Sequence, residues 1–333
     1  MLPSILDSIL SIGAILSIFL NLRVFHKLTL SHGTSKPVNF DREESSSLKK
    51  LFDPIPEGDD HSPLNNRLSH VIIEVMEESW QKMEEIFKYW QKYPPCRANS
   101  TINNWAYSQV TLTILLRTLK LDESLIQRAA SLLKELPSEI KYCFNSLEIR
   151  RGSGKRHGDR LFFEELVDNK IELYNPSHVL YLGPHCIPLQ ANWLNSFDDL
   201  TRSPSEAFWI IGSIYRGDRK KLTGKTAEYM SINRYALYNF ADPVFAEWYS
   251  GRVLPYATNV SFPESQMATW ELDIFRFMYN VTNSFDFQEV SSKFRLTNYI
   301  LNLWNTTIDL NAIQSSDPKA MIVCGNVVNK ISE

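Results

Sequence analysis

A histidine at the end of a short apolar strand is the first residue that could do chemistry. The segment HVLYL at 178–182 predicts a buried strand, and Gly183, Pro184 and His185 follow it directly. Ligands of α/β proteins lie beyond the carboxyl ends of strands, which makes His185 a candidate metal ligand or phosphate contact. The alternative is a strand-end histidine that is hydrogen-bonded to the backbone.

Basic residues farther along the chain could supply fixed positive charge. Arg216 and Arg234 bracket a stretch that also contains Arg219, Lys220 and Lys221. Guanidinium and ammonium groups bind phosphate oxygens directly, without a bridging cation. Arg216 and Arg234 are therefore candidate phosphate contacts, and an exposed basic loop is the alternative.

Asp273, in the segment TWELDIFRF, is the candidate catalytic carboxylate. A carboxylate that is positioned against a hydroxyl can accept its proton as a general base. Glu271 and Asp242 compete for this role. The alternative for each of the three is an ordinary capping or surface acid.

Aromatic residues accompany these polar groups. Trp193, Trp209, Tyr215 and Tyr238 could stack on a base or a sugar ring. Because they are interleaved with isoleucine and leucine, packing in the core is the alternative. We retain Trp193 and Tyr238 as candidate substrate contacts.

The elements that must position these residues alternate between strands and helices. Apolar spacing predicts strands at 68–75, 109–116, 142–149 and 178–182, and helices at 77–92, 122–136 and 160–167. Such alternation predicts an α/β fold, with a mixed, mainly parallel Rossmann-type sheet covered by helices on both faces. The region after residue 182 is then the natural site.

Several function classes are excluded. The loop that ends in Gly224-Lys225-Thr226 has its preceding glycine at 217, two residues too far for a phosphate-binding loop, and Gly152–Lys155 lacks a glycine at 149. The chain has no G-x-S-x-G, H-E-x-x-H or Cys-x-x-Cys motif. Its 35 basic and 38 acidic residues are evenly spread, so we expect no nucleic-acid partner.

The N-terminal part predicts a membrane-directed segment. Residues 8–22 form the only strongly apolar run, which suits a signal anchor or a signal peptide within 1–27. Residues 28–66 have the composition of a stem or linker, and 67–333 form the predicted globular domain. We expect a lumenal domain at the Golgi or ER membrane, with secretion as the alternative.

Sequons and cysteines agree with a lumenal location. N-glycosylation sequons begin at Asn99, Asn259, Asn280 and Asn305. An even number of cysteines allows two disulfides in an oxidising compartment, in a pairing that the sequence leaves open. The cysteines are Cys96, Cys143, Cys186 and Cys324. Four buried free thiols are the alternative.

Three segments together resemble a family of nucleotide-sugar glycosyltransferases. They are HVLYLGPHCIPLQANWL, AFWIIGSIYRGDR and SINRYALYNFADPVFAEWY. The corresponding family patterns are Glu-Pro-Asp-Cys-x-Pro, aromatic-x-x-Gly-Ser-x-Tyr-Arg-Gly and His-Ile-Asn-Gly-Asn-Ala-Leu-Tyr, in the same order and spacing. The resemblance implies a GT-A-type fold and transfer of a sugar from a nucleotide-sugar donor to a glycan or protein hydroxyl. It also implies that Asn233 contacts substrate.

The chain departs from the family where a divalent cation would bind. Gly183 and His185 replace the two acids, Ser231 and Arg234 replace the histidine and glycine of the third pattern, and Cys324 stands where a histidine is expected. A Mn²⁺ ion needs oxygen-rich ligands, so we expect no required metal cofactor. The sequence thus predicts a transferase that is not metal-dependent, or an inactive relative that binds glycan or a partner transferase.

Overall fold

The computed structural model describes residues 67–96, 110–117, 123–152, 158–202, 207–217, 230–259, 269–303 and 309–325. The predicted anchor and linker lie outside this part of the chain, so the domain boundaries stay predictions. Arg219, Lys220 and Lys221 also lie outside it. Every helix in the described ranges is too short or too polar to cross a bilayer.

The described residues contain a seven-stranded sheet and a three-stranded sheet. The strands are β1 (Leu68–Val75), β2 (Thr111–Arg117), β3 (Ser146–Gly152), β4 (His178–Leu182), β5 (Cys186–Pro188), β6 (Ile210–Gly212), β7 (Leu237–Asn239), β8 (Phe294–Leu296), β9 (Ile300–Asn302) and β10 (Ile322–Cys324). The larger sheet has the order β3-β2-β1-β4-β7-β6-β8, and the smaller has the order β5-β10-β9. In the larger sheet, β7 runs antiparallel to both of its neighbours. The other strand pairs of that sheet are parallel.

Helices cover this sheet. They are α1 (Trp80–Lys92), α2 (Glu123–Glu135), α3 (Ser138–Lys141), α4 (Gly158–Val167), α5 (Trp193–Arg202), α6 (Pro243–Trp248), α7 (Leu254–Asn259), α8 (Trp270–Tyr279), α9 (Ser284–Val290) and α10 (Leu310–Ser316). In α1 the buried side chains Trp80, Met83, Ile86 and Trp90 share one face, as their spacing predicts. The predicted α/β class, a mixed and mainly parallel sheet flanked by helices, is confirmed.

The strand predicted at 142–149 begins later than expected. β3 starts at Ser146, because residues 142–145 form a turn after α3. Cys143 and Phe144 in this turn are buried, and Cys143 is bonded to Cys96. The apolar run therefore reflects a turn fixed by a disulfide as well as the strand that follows.

The structure assigns the disulfide pairing that the sequence left open. Cys96 pairs with Cys143, and Cys186 pairs with Cys324, so all four cysteines are oxidised. The second disulfide joins β5 to β10 in the smaller sheet. It therefore holds the C-terminal strand beside the residues that follow β4.

Candidate functional site

The strand end after β4 is filled by an aromatic ring. A Cβ atom built on Gly183 would lie 2.5 Å from Cζ of Tyr235 and 2.6 Å from its hydroxyl oxygen. The same hydroxyl is joined to Nε2 of His185 by a hydrogen bond of 2.9 Å. Tyr235 thus occupies the space that a side chain at 183 would need, and it engages the imidazole at 185.

The turn before β7 delivers Tyr235 to this position. β7 lies antiparallel beside β4, and Tyr181 and Ala236 exchange backbone hydrogen bonds of 2.9 and 3.2 Å. Asn233 shapes the turn, because its Oδ1 accepts a hydrogen bond from the backbone N of Tyr235 at 3.0 Å. Its own backbone N donates to the carbonyl of Ser213 at 3.0 Å. The predicted contact residue Asn233 is therefore next to the site and serves its backbone geometry.

The C-terminal strand meets the same strand end. Cys324 is bonded to Cys186, and the backbone N of Gly325 donates to the carbonyl of His185 at 3.2 Å. Positions 183, 185 and 324, which the resemblance assigns to one cation site, are therefore brought together. Because both sulfur atoms belong to a disulfide, neither is a thiolate ligand.

The electrostatic environment of His185 is cationic. Burial, followed by the positive charges of Lys82 and Arg234, lowers the pKa of His185 to about 3. The imidazole is therefore neutral at physiological pH. Lys82 is an exposed residue of α1, and Arg234 lies in the turn that carries Tyr235. Two positive charges thus act on a strand end where the resemblance predicts two carboxylates, and Glu271 partly offsets that of Arg234.

These residues do not fit a divalent cation. Position 183 has no side chain, the imidazole at 185 is bonded to Tyr235, and position 324 is a disulfide sulfur. Mn²⁺ and Mg²⁺ require several hard oxygen ligands, and positive charges nearby oppose their binding. Within the described ranges, no group of three histidine, cysteine, aspartate or glutamate residues is placed to hold a metal ion.

Arg234 is held in place from two sides. Its Nε donates to Oε1 of Glu271 at 3.0 Å, and its guanidinium carbon lies 4.7 Å from the ring centre of Trp270. Its backbone carbonyl accepts a hydrogen bond of 2.7 Å from the hydroxyl of Tyr238. These contacts fix a positive charge beside His185 in one orientation.

Asp273 is engaged by an arginine. Its carboxylate is 1% exposed and accepts two hydrogen bonds from the guanidinium of Arg160 on α4, one of them of 2.7 Å. The bond to Asp273 raises the pKa of Arg160. Such a bidentate pair leaves the carboxylate little capacity to accept a proton from an acceptor hydroxyl. This geometry favours a structural role for Asp273.

Of the other predicted residues, Arg216 is exposed, whereas Trp193 and Tyr238 are buried. Nη2 of Arg216 donates to Oδ1 of Asn298 at 2.6 Å, so this guanidinium is partly engaged. Trp193 is fully buried and packs 5.0 Å from the ring of Trp90. Tyr238 is 1% exposed and accepts a hydrogen bond from Trp270 Nε1 at 3.2 Å. For Trp193 and Tyr238 the core alternative describes what the structure shows.

Tyr235, Lys82 and Arg160 were not predicted from the sequence. Tyr235 could have been found from the sequence. The family pattern has the smaller asparagine at this position, and this chain also has glycine at 183. Arg160 and Asp273 are separated by 113 residues, and Lys82 precedes His185 by more than a hundred positions. No local pattern links such partners.

Comparisons with known proteins give a likeness of fold. No protein-family model and no curated protein matches the sequence. Mouse xyloside xylosyltransferase 1 is 12% identical with a TM-score of 0.47, over 77% of this chain and 97% of that chain. The galactosyltransferase LgtC, solved with donor and acceptor sugar analogs, is 11% identical with a TM-score of 0.43, over 77% and 87% of the two chains.

A third solved structure is the glycosyltransferase GlyE of Streptococcus pneumoniae TIGR4. It is 12% identical with a TM-score of 0.40, and the match covers 79% of this chain and 55% of that one. The chain therefore spans about half the length of GlyE. These values describe a similarity of coarse architecture only.

Proposed function

We propose that this chain is a glycosyltransferase-like protein that binds a nucleotide-sugar donor without a divalent cation. The single observation that carries the proposal is the reversed charge of the strand end. The positive charges of Lys82 and Arg234 both lower the pKa of a neutral His185, where the resemblance predicts carboxylates and a metal ion. Such a site repels a cation and attracts a diphosphate.

The residues present can take over what a cation would do. Negative charge develops on the departing nucleoside diphosphate during sugar transfer, and fixed positive groups stabilise it. Arg234 is pre-oriented by Glu271 and Trp270, so little side-chain entropy is lost when it contacts phosphate. Lys82 supplies an ammonium from α1. His185 contributes a neutral hydrogen-bonding group.

Calorimetric titration of the full chain with UDP and GDP, with EDTA or with Mn²⁺, tests this proposal. We expect a nucleoside diphosphate to bind in EDTA with an affinity that Mn²⁺ leaves unchanged. Binding that requires Mn²⁺ would refute the cation-free site. The acceptor class, a glycan or protein hydroxyl, and the Golgi or ER location are part of the same proposal and rest on the sequence.

A second candidate function is an inactive relative that binds glycan or a partner transferase. It is favoured by the state of the two carboxylates on α8, because Asp273 is bonded to Arg160 and Glu271 is bonded to Arg234. Neither is placed as an open general base. Absence of nucleotide binding in both titrations would favour this candidate over a transferase.

A further inference from the structure

The sequon Asn280-Val281-Thr282 lies at a helix end that holds its reacting groups in a defined arrangement. Asn280 is the C-cap residue of α8. Its Oδ1 accepts hydrogen bonds from the backbone N of Thr282 at 3.0 Å and from the Thr282 hydroxyl at 2.8 Å. Thr282 is exposed and Asn280 is partly exposed. Donation to the amide oxygen polarises the amide and makes its N–H groups more acidic.

The amide nitrogen of Asn280 keeps a hydrogen that can be replaced. Nδ2 donates to the hydroxyl of Tyr256 at 2.6 Å. A primary amide has two N–H groups, so one can be exchanged for a bond to carbon while the other still donates to Tyr256. Modification at Nδ2 is thus compatible with the folded contacts.

Two exposed aromatic side chains lie within five residues of Asn280 in the chain. Tyr279 immediately precedes Asn280 and is 58% exposed, and Phe285 in the following helix α9 is 79% exposed. The ring of Tyr279 lies 4.4 Å from that of the buried Phe275 and 5.9 Å from that of the partly exposed Phe287. Apolar surface of this kind is costly in water unless something covers it. The C–H faces of sugar rings pack on the electron-rich faces of such rings.

We propose that Asn280 carries an N-linked glycan whose first sugars cover Tyr279 and Phe285. In the modification, Nδ2 forms a bond to the anomeric carbon of an oligosaccharide carried on a lipid diphosphate. The bond between that carbon and the diphosphate oxygen breaks, the lipid diphosphate leaves with the electron pair, and one amide proton is released. The proposal rests on the predicted lumenal location and is independent of sugar transfer by the chain itself.

Peptide mapping of the full chain produced in cultured animal cells tests the modification. We expect the peptide that contains Asn280 to carry a glycan, which an amidase specific for N-glycans removes. The variant Thr282→Val loses the glycan at this position because it lacks the hydroxyl, and the matched variant Thr282→Ser keeps it. An unmodified Asn280 overturns the proposal. A glycan on the Asn99 or Asn305 peptide would then show that the chain had reached the lumen.

Binding of a dye that fluoresces on apolar surfaces tests the covering of the aromatic side chains. Thr282→Val keeps Asn280 and its bond to Tyr256, so loss of the glycan is the intended change. We expect this variant to bind more dye than wild type or Thr282→Ser, and a further Phe285→Ser substitution to reverse the increase. Equal dye binding by Thr282→Val and Thr282→Ser overturns the covering of these residues.

Discussion

The phenol ring of Tyr235 lies so close to Gly183 that a Cβ atom at 183 would be 2.5 Å from Cζ of the ring. Real Cβ atoms are not found so near another heavy atom. The absence of a side chain at 183 and the presence of the aromatic ring at 235 therefore depend on each other. An acidic side chain at position 183 would require the ring to leave.

Gly183→Ala should lower the free energy of unfolding by about 1–3 kcal/mol, the usual cost of overpacking. The added methyl group must displace Tyr235, which is only 5% exposed and is hydrogen-bonded to His185. Urea unfolding of wild type and variant measures the loss. An unchanged midpoint would mean that the ring moves aside freely.

Gly251→Ala is the matched control, because a Cβ there meets no atom within 4 Å. We expect it to be neutral or to stabilise slightly, since glycine is costly in a helical segment. A second comparison adds Tyr235→Asn to Gly183→Ala. This pair should be less destabilised than the sum of its single variants, because the asparagine removes the clash.

Lys82→Gln should weaken nucleoside diphosphate binding in EDTA by several-fold, because it removes one of two positive charges beside His185. Lys88→Gln is the control. It removes the same charge from the same helix, at a position that faces a groove with Arg128 and Glu135. Titration calorimetry compares the two variants. Equal effects would indicate nonspecific attraction to a basic surface.

Lowering the pH should destabilise the protein through its buried histidines. Burial is the main cause that lowers the pKa of His70 and of His178 to about 4, and that of His185 to about 3. Because the unfolded chain binds these protons near pH 6.5, the neutral histidines contribute their full stability above that pH. The contribution is lost as the pH falls from about 6.5 towards 3–4.

Unfolding measured between pH 7 and pH 4 checks this direction, with a slope of at most about 1.4 kcal/mol per pH unit for each histidine. His178→Gln should flatten the slope, because the variant has one fewer group to titrate. A stability that rises as the pH falls would contradict the assignment of neutral buried histidines.

The two disulfides should differ in their contribution to stability. Cys96 and Cys143 are 47 residues apart, whereas Cys186 and Cys324 are 138 apart. By chain entropy, the longer loop should contribute about 1 kcal/mol more, within a usual range of about 2–4 kcal/mol for each bond. Denaturation of the two double alanine variants measures this difference. An equal loss would argue for enthalpic rather than entropic stabilisation.

The first half of the fold followed from the sequence because its signals are local. The strand at 178–182 matched residue for residue, and α1 was evident from the spacing of Trp80, Met83 and Trp90. The later strands β6 to β10 have only three residues each, too short for a periodic signal. Their extended conformation depends on hydrogen bonding to the neighbouring strands of the two sheets.

The sequence indicated that His185 lies at the end of β4, but not which residues contact it. His185 and Arg234 lie at the expected strand end, since the carboxyl end of β4 is fixed by local pattern. The groups that act on His185 were not predicted, because the hydrogen bond of Tyr235 and the charge of Lys82 act on it through the tertiary structure. The same reason applies to Asp273, because its partner Arg160 lies 113 residues away in the chain.

Asp273→Asn should destabilise the protein by about 3–5 kcal/mol, because it leaves Arg160 with a charge in a largely buried setting and no carboxylate. Replacing both residues, with Arg160→Met and Asp273→Leu, should cost less than Asp273→Asn alone, since no uncompensated charge remains. Glu271→Gln, on the same helix, serves as a comparison because the Arg234–Glu271 pair is more exposed at the carboxylate. Unfolding and donor turnover are measured on each variant. If Asp273→Asn kept its stability and lost turnover, Asp273 would be the general base that the sequence suggested, and the ion pair would be a means of orienting it.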